Sequence, residues 1–465
     1  MHNYIDDLGN QLADTLVAMK QVRTEDSYVR FGDYCWDIYA GVNQAYQETP
    51  ELLEERVRVL HELEAGEAGT SWLGLLVAER IVREHLEEMG QFGIGYDVLV
   101  WESRIVREGF WSKAFELLQG TSVFRQETEG RLAGCWVLKQ AGSGEEKRGE
   151  EDYQTDKVLV RSNGILTYTA KDIAYHLWKF GLLGRDFSYR LFAPGLWTTA
   201  ADGFPRPELG RADLVINVID QRQEYPQEMV RQALLALGYE GQAERLEHVS
   251  YGVVSLSPGT AEGLGVNTSE GKRSYPMSGR QGIGVRIGDF LQRMEGVVEG
   301  RRSRASGLSS REIAAASIRY YLLRFHMQTE VIFDLDQAAE ISGNTGVYLL
   351  YAYARACSIL SKAGPGAASA SSAIPAGAEP QEYALLRHLL YWPEVLEKAA
   401  RELAPHLLCT YAYELSGLFN HFYAACPILQ EQEPLRSFRL QLTEGYRTTM
   451  RDALDVLGLP APEEL

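Results

Sequence analysis

The feature that most constrains this chain is a change of character near residue 300. Upstream of that point strand-like runs alternate with helix-like ones; downstream, helical patterns follow one another almost without a break. Alternation of the first kind is the pattern of a mostly parallel sheet with crossover helices, and the second is that of a helical bundle. Segment 299–312, EGRRSRASGLSSRE, is poor in apolar residues and reads as the boundary. The expected order is an α/β domain over 1–298 and an all-α domain over 313–465. At 465 residues and 45% hydrophobic, the chain has enough apolar material for both cores.

In the first part, 158–160 and 165–168 read as short strands and 171–180 as a helix. LVINVI, 214–219, reads as a buried strand, and 226–237 as a helix with proline in its first turn. HVSYGVVSLS, 248–257, alternates like one further strand. The helices at about 50–118 are too long for simple crossovers and read as a helical insertion or cap. In the second part, helices are expected near 311–326, 346–362, 382–404, 407–425 and 434–457. The charged, glycine-containing segment 141–156 reads as a surface insertion, and the Gly/Ala/Ser/Pro segment 363–380 as a flexible loop.

Composition narrows the functional classes. The net charge of −18 argues against coating nucleic acid by bulk attraction, since the mean field repels phosphate, and DNA is not an expected partner. A local site remains open. Basic residues gather at Lys272, Arg273, Arg280, Arg286 and Arg293, and again at Arg301, Arg302 and Arg304, a pattern that an ordinary solvated face shows equally well. The five cysteines show no CxxC pairing and no histidine at ligand spacing, so reduced thiols in a cytoplasmic protein are expected, with no protein-bound metal. The first residues lack a basic region followed by an apolar stretch, and no run of 18 apolar residues occurs, so no membrane association is expected.

Three constellations carry chemistry. In YPMSGRQGIGVRIGDF, 275–290, the small residues Ser278, Gly279, Gly282 and Gly284 let backbone amides approach an anion, and Arg280 adds a positive charge. This spacing suits a mobile phosphate loop, and it also suits a glycine-rich hairpin beside a helix start. Tyr168 and Asp172 are four apart, which places them on one side of a helix start. A carboxylate is the natural partner of a guanidinium fork, although the helix dipole alone favours an acid there. Tyr348, Tyr351 and Arg355 fall at i, i+3 and i+7, one helical stripe. Such a stripe serves a core, and its polar tips also suit stacking on unpaired RNA bases.

The motif MSGRQGIGV resembles the form that the class I KMSKS signature takes in the arginyl-tRNA synthetase family. HVSYGVVSLSPGTAEGLGV (248–266) and VINVIDQRQEYPQ (215–227) are similar to the family stretches that precede that loop, and GILTYTAKDIAYHLWKFG (164–181) resembles its arginine-recognition segment. GNTGVYLLYAYARACSIL (343–360) and YELSGLFNHFY (413–423) resemble its anticodon-binding helices. The resemblance covers nearly the whole chain. It implies a Rossmann-like class I catalytic domain, incomplete at its N-terminus, followed by an α-helical anticodon-binding domain.

By residue, the resemblance implies arginine binding by Tyr168, Asp172 and Gln223, and ATP binding by Met277, Ser278, Gly279, Arg280, Gln281 and Gly282, with Mg expected alongside the nucleotide. It implies anticodon contacts from Tyr348, Tyr351 and Arg355, and tRNA(Arg) and L-arginine as partners. The sequence departs from the family at Gln281, where a lysine usually follows MSGR, and at Leu465, where many members end on methionine. NYIDDLGNQLAD, 3–14, is similar to the stretch that follows the family's HIGH motif, so the sequence is expected to begin downstream of HIGH. His176, His248 and His326 stand in other contexts. Two readings follow: an arginine-tRNA ligase whose HIGH-bearing part lies upstream, or a catalytically impaired paralogue that binds tRNA or arginyl-tRNA without forming adenylate.

Overall fold

The computed structural model describes residues 1–21, 27–139, 157–276, 285–302, 307–365 and 374–465. The chain divides into two compact units, Met1–Leu86 with Gly95–Ser250, and Glu87–Ile94 with Tyr251–Leu465. The segment 299–312 lies inside the second unit and includes the last residues of helix Ile287–Arg301 and the first of helix Ser310–Leu323.

The first unit is built on a five-stranded sheet in the order His2–Ile5, Val98–Trp101, Leu196–Thr199, Ser188–Ala193, Phe204–Pro205. The first three strands are parallel, and Ser188–Ala193 is antiparallel to both of its neighbours. Val98–Trp101 is buried along its whole length, as a central strand covered on both faces must be. The core beside it is aromatic. Phe110 stacks on Phe187 at 3.8 Å between ring centroids, and Tyr175 lies over Trp178 at 5.4 Å. Gly210 is required here because a Cβ would fall 2.5 Å from the Trp178 indole nitrogen. A second cluster, around Leu16, Ile38, Val59 and Leu63, holds helices Asn10–Gln21, Phe31–Glu48 and Glu51–Ala65 together.

Several expectations for this unit need correction. Residues 165–168 do not form a strand: Leu166 makes one isolated bridge to Val160, and the helix begins at Tyr168, after Thr167 has turned its hydroxyl to the Val158 carbonyl at 2.9 Å. Strand Val215–Asp220 is buried only at Val215. It pairs with Leu246–Tyr251 alone among the described residues, and Val218 is 64% exposed. The expected single strand 248–257 is two strands, Leu246–Tyr251 and Val254–Leu256, that join different sheets. The expected helical insertion at about 50–118 contains the central strand Val98–Trp101 as well as helices.

The second unit begins with a short sheet in which Val254–Leu256 pairs with Val331–Phe333 in parallel and with Tyr275–Pro276 antiparallel. Helices follow. Ser310–Leu323 opens on a capping box formed by Ser309 and Glu312. It crosses Gly346–Ala363 closely enough that a Cβ on Gly346 would lie 3.2 Å from the Ala316 carbonyl oxygen. The helix expected over 382–404 is two helices, Pro380–Leu390 and Trp392–Glu402; Tyr391 and Pro393 stand at the break, where proline removes an amide donor. Pro405–Ala425 and Leu435–Val456 complete the bundle, with Phe419 stacked on Tyr446 at 3.9 Å in its centre. Arg439 is buried there and donates from Nε to Glu382 at 2.7 Å, and from its terminal nitrogen to Glu431 at 2.7 Å.

Candidate functional site

Helix Tyr168–Lys179 carries the polar residues of the first unit on one stripe. Tyr168, Asp172, Tyr175, His176 and Lys179 follow the spacing of adjacent turns. The helix stops just after Lys179 because Gly181 takes a left-handed φ of 71°. Its amide donates to the Trp178 carbonyl at 2.8 Å and that of Leu182 to Leu177 at 2.8 Å, the Schellman arrangement that closes a helix C-terminus. The start of the helix is thereby held near the carboxyl end of strand Val98–Trp101, where Lys171 meets Glu102 and where ligand crevices form in open α/β sheets, while Tyr175 lies 3.3 Å from His2 at the amino end of strand His2–Ile5.

At that strand end stands Glu102, fully buried. Its carboxylate accepts from Lys171 Nζ at 2.5 Å and from the Tyr4 hydroxyl at 2.7 Å. Burial pushes the Glu102 carboxyl up, to about 7, against the pull of Lys171, and both burial and Glu102 push the Tyr4 phenol up. Sequence reasoning did not single out Glu102. The signal was an acid set directly after the apolar run VLVW, at a strand's carboxyl end.

Asp172 differs from Glu102 in one respect. No described side chain comes within hydrogen-bonding or ion-pairing distance of its carboxylate, and its recessed position pushes the carboxyl up, to about 6. Lys179, Lys171 and Lys157 oppose that shift and Asp6 adds to it. Tyr168, one turn before, is 52% exposed, with Lys171 Nζ 5.3 Å from its ring centroid. Burial pushes its phenol to about 12, so it presents a neutral ring and hydroxyl. Gln223 ends the short turn Gln221–Gln223 in an exposed position, with no side-chain hydrogen bond to Tyr168 or Asp172.

Below Asp172 the stripe continues into a closed polar network. His176 Nδ1 lies 2.7 Å from the Asp172 carbonyl oxygen and its Nε2 lies 2.8 Å from Asn217 Nδ2. Asn217 Nδ2 also donates to Gln227 Oε1 at 2.7 Å, and its Oδ1 accepts from Lys179 Nζ at 3.1 Å. An amide nitrogen that donates to Nε2 assigns the imidazole proton to Nδ1, which then donates to the carbonyl. Burial holds the ring neutral, with its pKa down at about 3.

In the second unit, the stripe of helix Gly346–Ala363 is shared between packing and surface. Tyr351 is exposed, while Tyr348 and Arg355 are half-buried. Arg355 lies between two rings, 5.0 Å from the Tyr351 centroid and 5.1 Å from that of Tyr423. Asn420 joins the group by accepting from Arg355 and donating to the Tyr348 hydroxyl at 3.0 Å. Phe422 is fully buried and belongs to the core. The result is a pre-set aromatic and guanidinium surface of the kind on which bases stack. The expected phosphate loop, Met277 to Gly282, lies outside the described residues.

The sequence profile of the DALR anticodon binding domain matches residues 349–465. The chain is 34% identical to the arginine–tRNA ligase of Thermococcus kodakarensis, over 100% of this chain and 74% of that protein. It is 36% identical to that of Thermus thermophilus, over 99% of this chain and 75% of the relative. The solved Thermus thermophilus arginyl-tRNA synthetase superposes with a TM-score of 0.81 at 33% identity, covering 100% of this chain and 75% of that one. A Rossmann-like α/β part followed by a helical anticodon-binding part is the architecture of a class I aminoacyl-tRNA synthetase. Within that class, the chain belongs to the arginyl-tRNA synthetase family. Among the described residues, no helix is long and apolar enough to cross a membrane.

Proposed function

We propose that this chain works as an arginine–tRNA ligase in cytoplasmic translation. It binds L-arginine and ATP, with Mg accompanying the nucleotide. An arginine carboxylate oxygen attacks the α-phosphorus, the bond to the β,γ-phosphate oxygen breaks, and pyrophosphate leaves. A ribose hydroxyl of the terminal adenosine of tRNA(Arg) then attacks the arginyl carbonyl of the resulting adenylate, the bond from that carbonyl to the phosphate oxygen breaks, and AMP leaves with the proton released to solvent. Residues 1–298 serve the chemistry, and the helices of 313–465 hold the anticodon loop.

The observation that carries this reading is the Asp172 carboxylate, without a side-chain partner among the described residues, one turn from the exposed ring of Tyr168. A recessed carboxylate without a partner costs free energy unless a cation meets it, and a planar guanidinium meets it with two parallel donors. Gln223 extends the amino-acid contacts by resemblance. The loop 277–282 holds the ATP phosphates, with Arg280 supplying positive charge. Tyr348, Tyr351 and Arg355 contact the anticodon loop, Tyr351 and Arg355 by stacking.

Gln281 favours a second reading, in which the chain binds tRNA or arginyl-tRNA without making adenylate, because a neutral amide donates hydrogen bonds but does not neutralise phosphate. Pyrophosphate exchange dependent on both arginine and tRNA separates the two. Exchange by the purified chain supports the ligase. Binding of tRNA(Arg) with no arginyl-tRNA formed supports the binding protein and overturns the ligase reading for this polypeptide.

A further inference from the structure

Asn217 has no part in the reading above, yet both hydrogens of its side-chain amide are engaged. Its Nδ2 donates to His176 Nε2 at 2.8 Å and to Gln227 Oε1 at 2.7 Å, and its Oδ1 accepts from Lys179 Nζ at 3.1 Å. An ammonium only donates, so Lys179 fixes which end of the amide is the oxygen and thereby points the NH2 group at its two acceptors. The partners lie on two helices. His176 and Lys179 belong to Tyr168–Lys179, and His176 Nδ1 returns to the Asp172 carbonyl oxygen at 2.7 Å. Gln227 is buried in helix Glu224–Ala236, one turn after Gln223, the N-cap residue of that helix. Asn217 itself stands on strand Val215–Asp220, whose carboxyl end runs into the turn Gln221–Gln223. One side chain therefore clamps the strand before Gln223 and the helix after it to the helix that bears Asp172.

We propose that Asn217 is a positioning residue that holds Gln223 at a fixed reach from Asp172, so that one arginine is met at both of its ends. This inference rests on arginine binding by Asp172 and Gln223. Arginine carries polar groups only at its two ends. Once a carboxylate holds the guanidinium, the α-ammonium and α-carboxylate remain for an amide, which both donates and accepts. A ligand that bridges two groups gains the second contact in full only when their spacing is set beforehand. The two sides of the clamp are unequally held without it. Helix Tyr168–Lys179 is buried at every residue from Thr169 to Trp178 except Asp172, so the carboxylate keeps its place. Strand Val215–Asp220 pairs with one neighbour among the described residues, and the turn after it is three residues long with none of them buried. Loss of the clamp therefore loosens the Gln223 side first.

n-Butylguanidine tests the guanidinium end alone, since it has the arginine side chain without the α-ammonium and α-carboxylate. Binding of labelled L-arginine to the full chain by equilibrium dialysis, and its displacement by n-butylguanidine, are compared for wild type, Asn217→Leu, Gln223→Ala and the double variant. Asn217→Leu, close to isosteric but without the amide, is expected to bind arginine about tenfold more weakly and n-butylguanidine within about twofold of wild type. Gln223→Ala should show the same selective loss. The double variant should lose no more than the weaker-binding single variant, because the clamp acts through Gln223. Equal losses for the two ligands in a variant that melts cooperatively, no loss for either, or additive losses in the double variant overturn the proposal. If Asn217→Leu loses its cooperative melt, Gln227→Met breaks the clamp from the other helix with the same expectations, and loss of the melt there too makes the network structural and overturns the proposal. Wild type that binds no arginine, or Gln223→Ala that binds it as wild type does, instead overturns the reading on which the proposal rests.

Discussion

Two polar constellations in this molecule are built on opposite plans. Around helix Tyr168–Lys179 of the first unit, one carboxylate is paired and buried while the other, that of Asp172, has no side-chain partner among the described residues. On helices Gly346–Ala363 and Pro405–Ala425 of the second unit, Tyr348, Arg355 and Asn420 satisfy one another, and Tyr351 and Tyr423 sandwich the guanidinium. The difference is instructive about ligand size. A small cationic ligand is recognised by a charge kept unmet until it arrives. A base of a large RNA needs a rigid flat surface, whose polar groups are best satisfied in advance so that binding does not have to break them.

Removing the paired carboxylate should have the largest effect on the protein itself. Glu102→Ala leaves the Lys171 ammonium buried and alone, which costs about 3–5 kcal/mol. The chemical denaturation midpoint should fall accordingly, and Glu102→Ala combined with Lys171→Met should recover most of the loss. A midpoint unchanged in the single variant would show that the pair is not structural and would erase the contrast with Asp172.

Removing the unmet carboxylate should act on ligand and not on fold. Asp172→Ala is expected to weaken arginine binding by at least about 100-fold, on the order of 3 kcal/mol, with its cooperative melt retained. A variant that no longer melts cooperatively would make Asp172 a structural residue like Glu102.

Asp172→Asn sharpens the same point through pH. The carboxyl is raised from 3.8 to about 6 in the folded state, so the folded protein binds the proton more tightly than the unfolded chain. Its stabilising contribution is present below pH 4 and lost as pH rises through 6, so ionised Asp172 destabilises the ligand-free protein at neutral pH. The amide should be more stable than wild type by up to about 3 kcal/mol at pH 7.5, and the two should agree at pH 3.5. Thermal melts at the two pH values check this, and a variant equally stable at both would mean that Asp172 has a partner.

The smallest expected change is on the satisfied surface. Tyr351→Ala should weaken tRNA(Arg) binding about tenfold, in the range of about 1–3 kcal/mol for one stacked base, and leave arginine binding largely alone. Filter binding at two salt concentrations checks it, since phosphate contacts make the affinity fall steeply with salt despite the acidic average. Equal tRNA affinity in both proteins would remove the stacking role.

What the sequence by itself determined is what short spacings encode. Tyr168, Asp172, Tyr175, His176 and Lys179 share a stripe because the helix repeats every 3.6 residues, and Gly181 sets where that helix ends. The order of an α/β part before a helical part was legible for the same reason, as was kinship with the arginyl-tRNA synthetase family, which rests on contiguous motifs. Only the tertiary structure decided which charge is met. Glu102 and Lys171 lie 69 positions apart, and Asn217 reaches His176 from 41 positions away. No local pattern foretells that one of two neighbouring residues, Lys171, turns toward a buried partner while Asp172 does not. The strand at 215–220 teaches the same lesson, since an apolar run specifies extended backbone but its burial depends on which strands arrive beside it. Pairing and burial belong to residues distant in the chain, and so the unmet charge at the centre of the proposed site became visible only once the chain was folded.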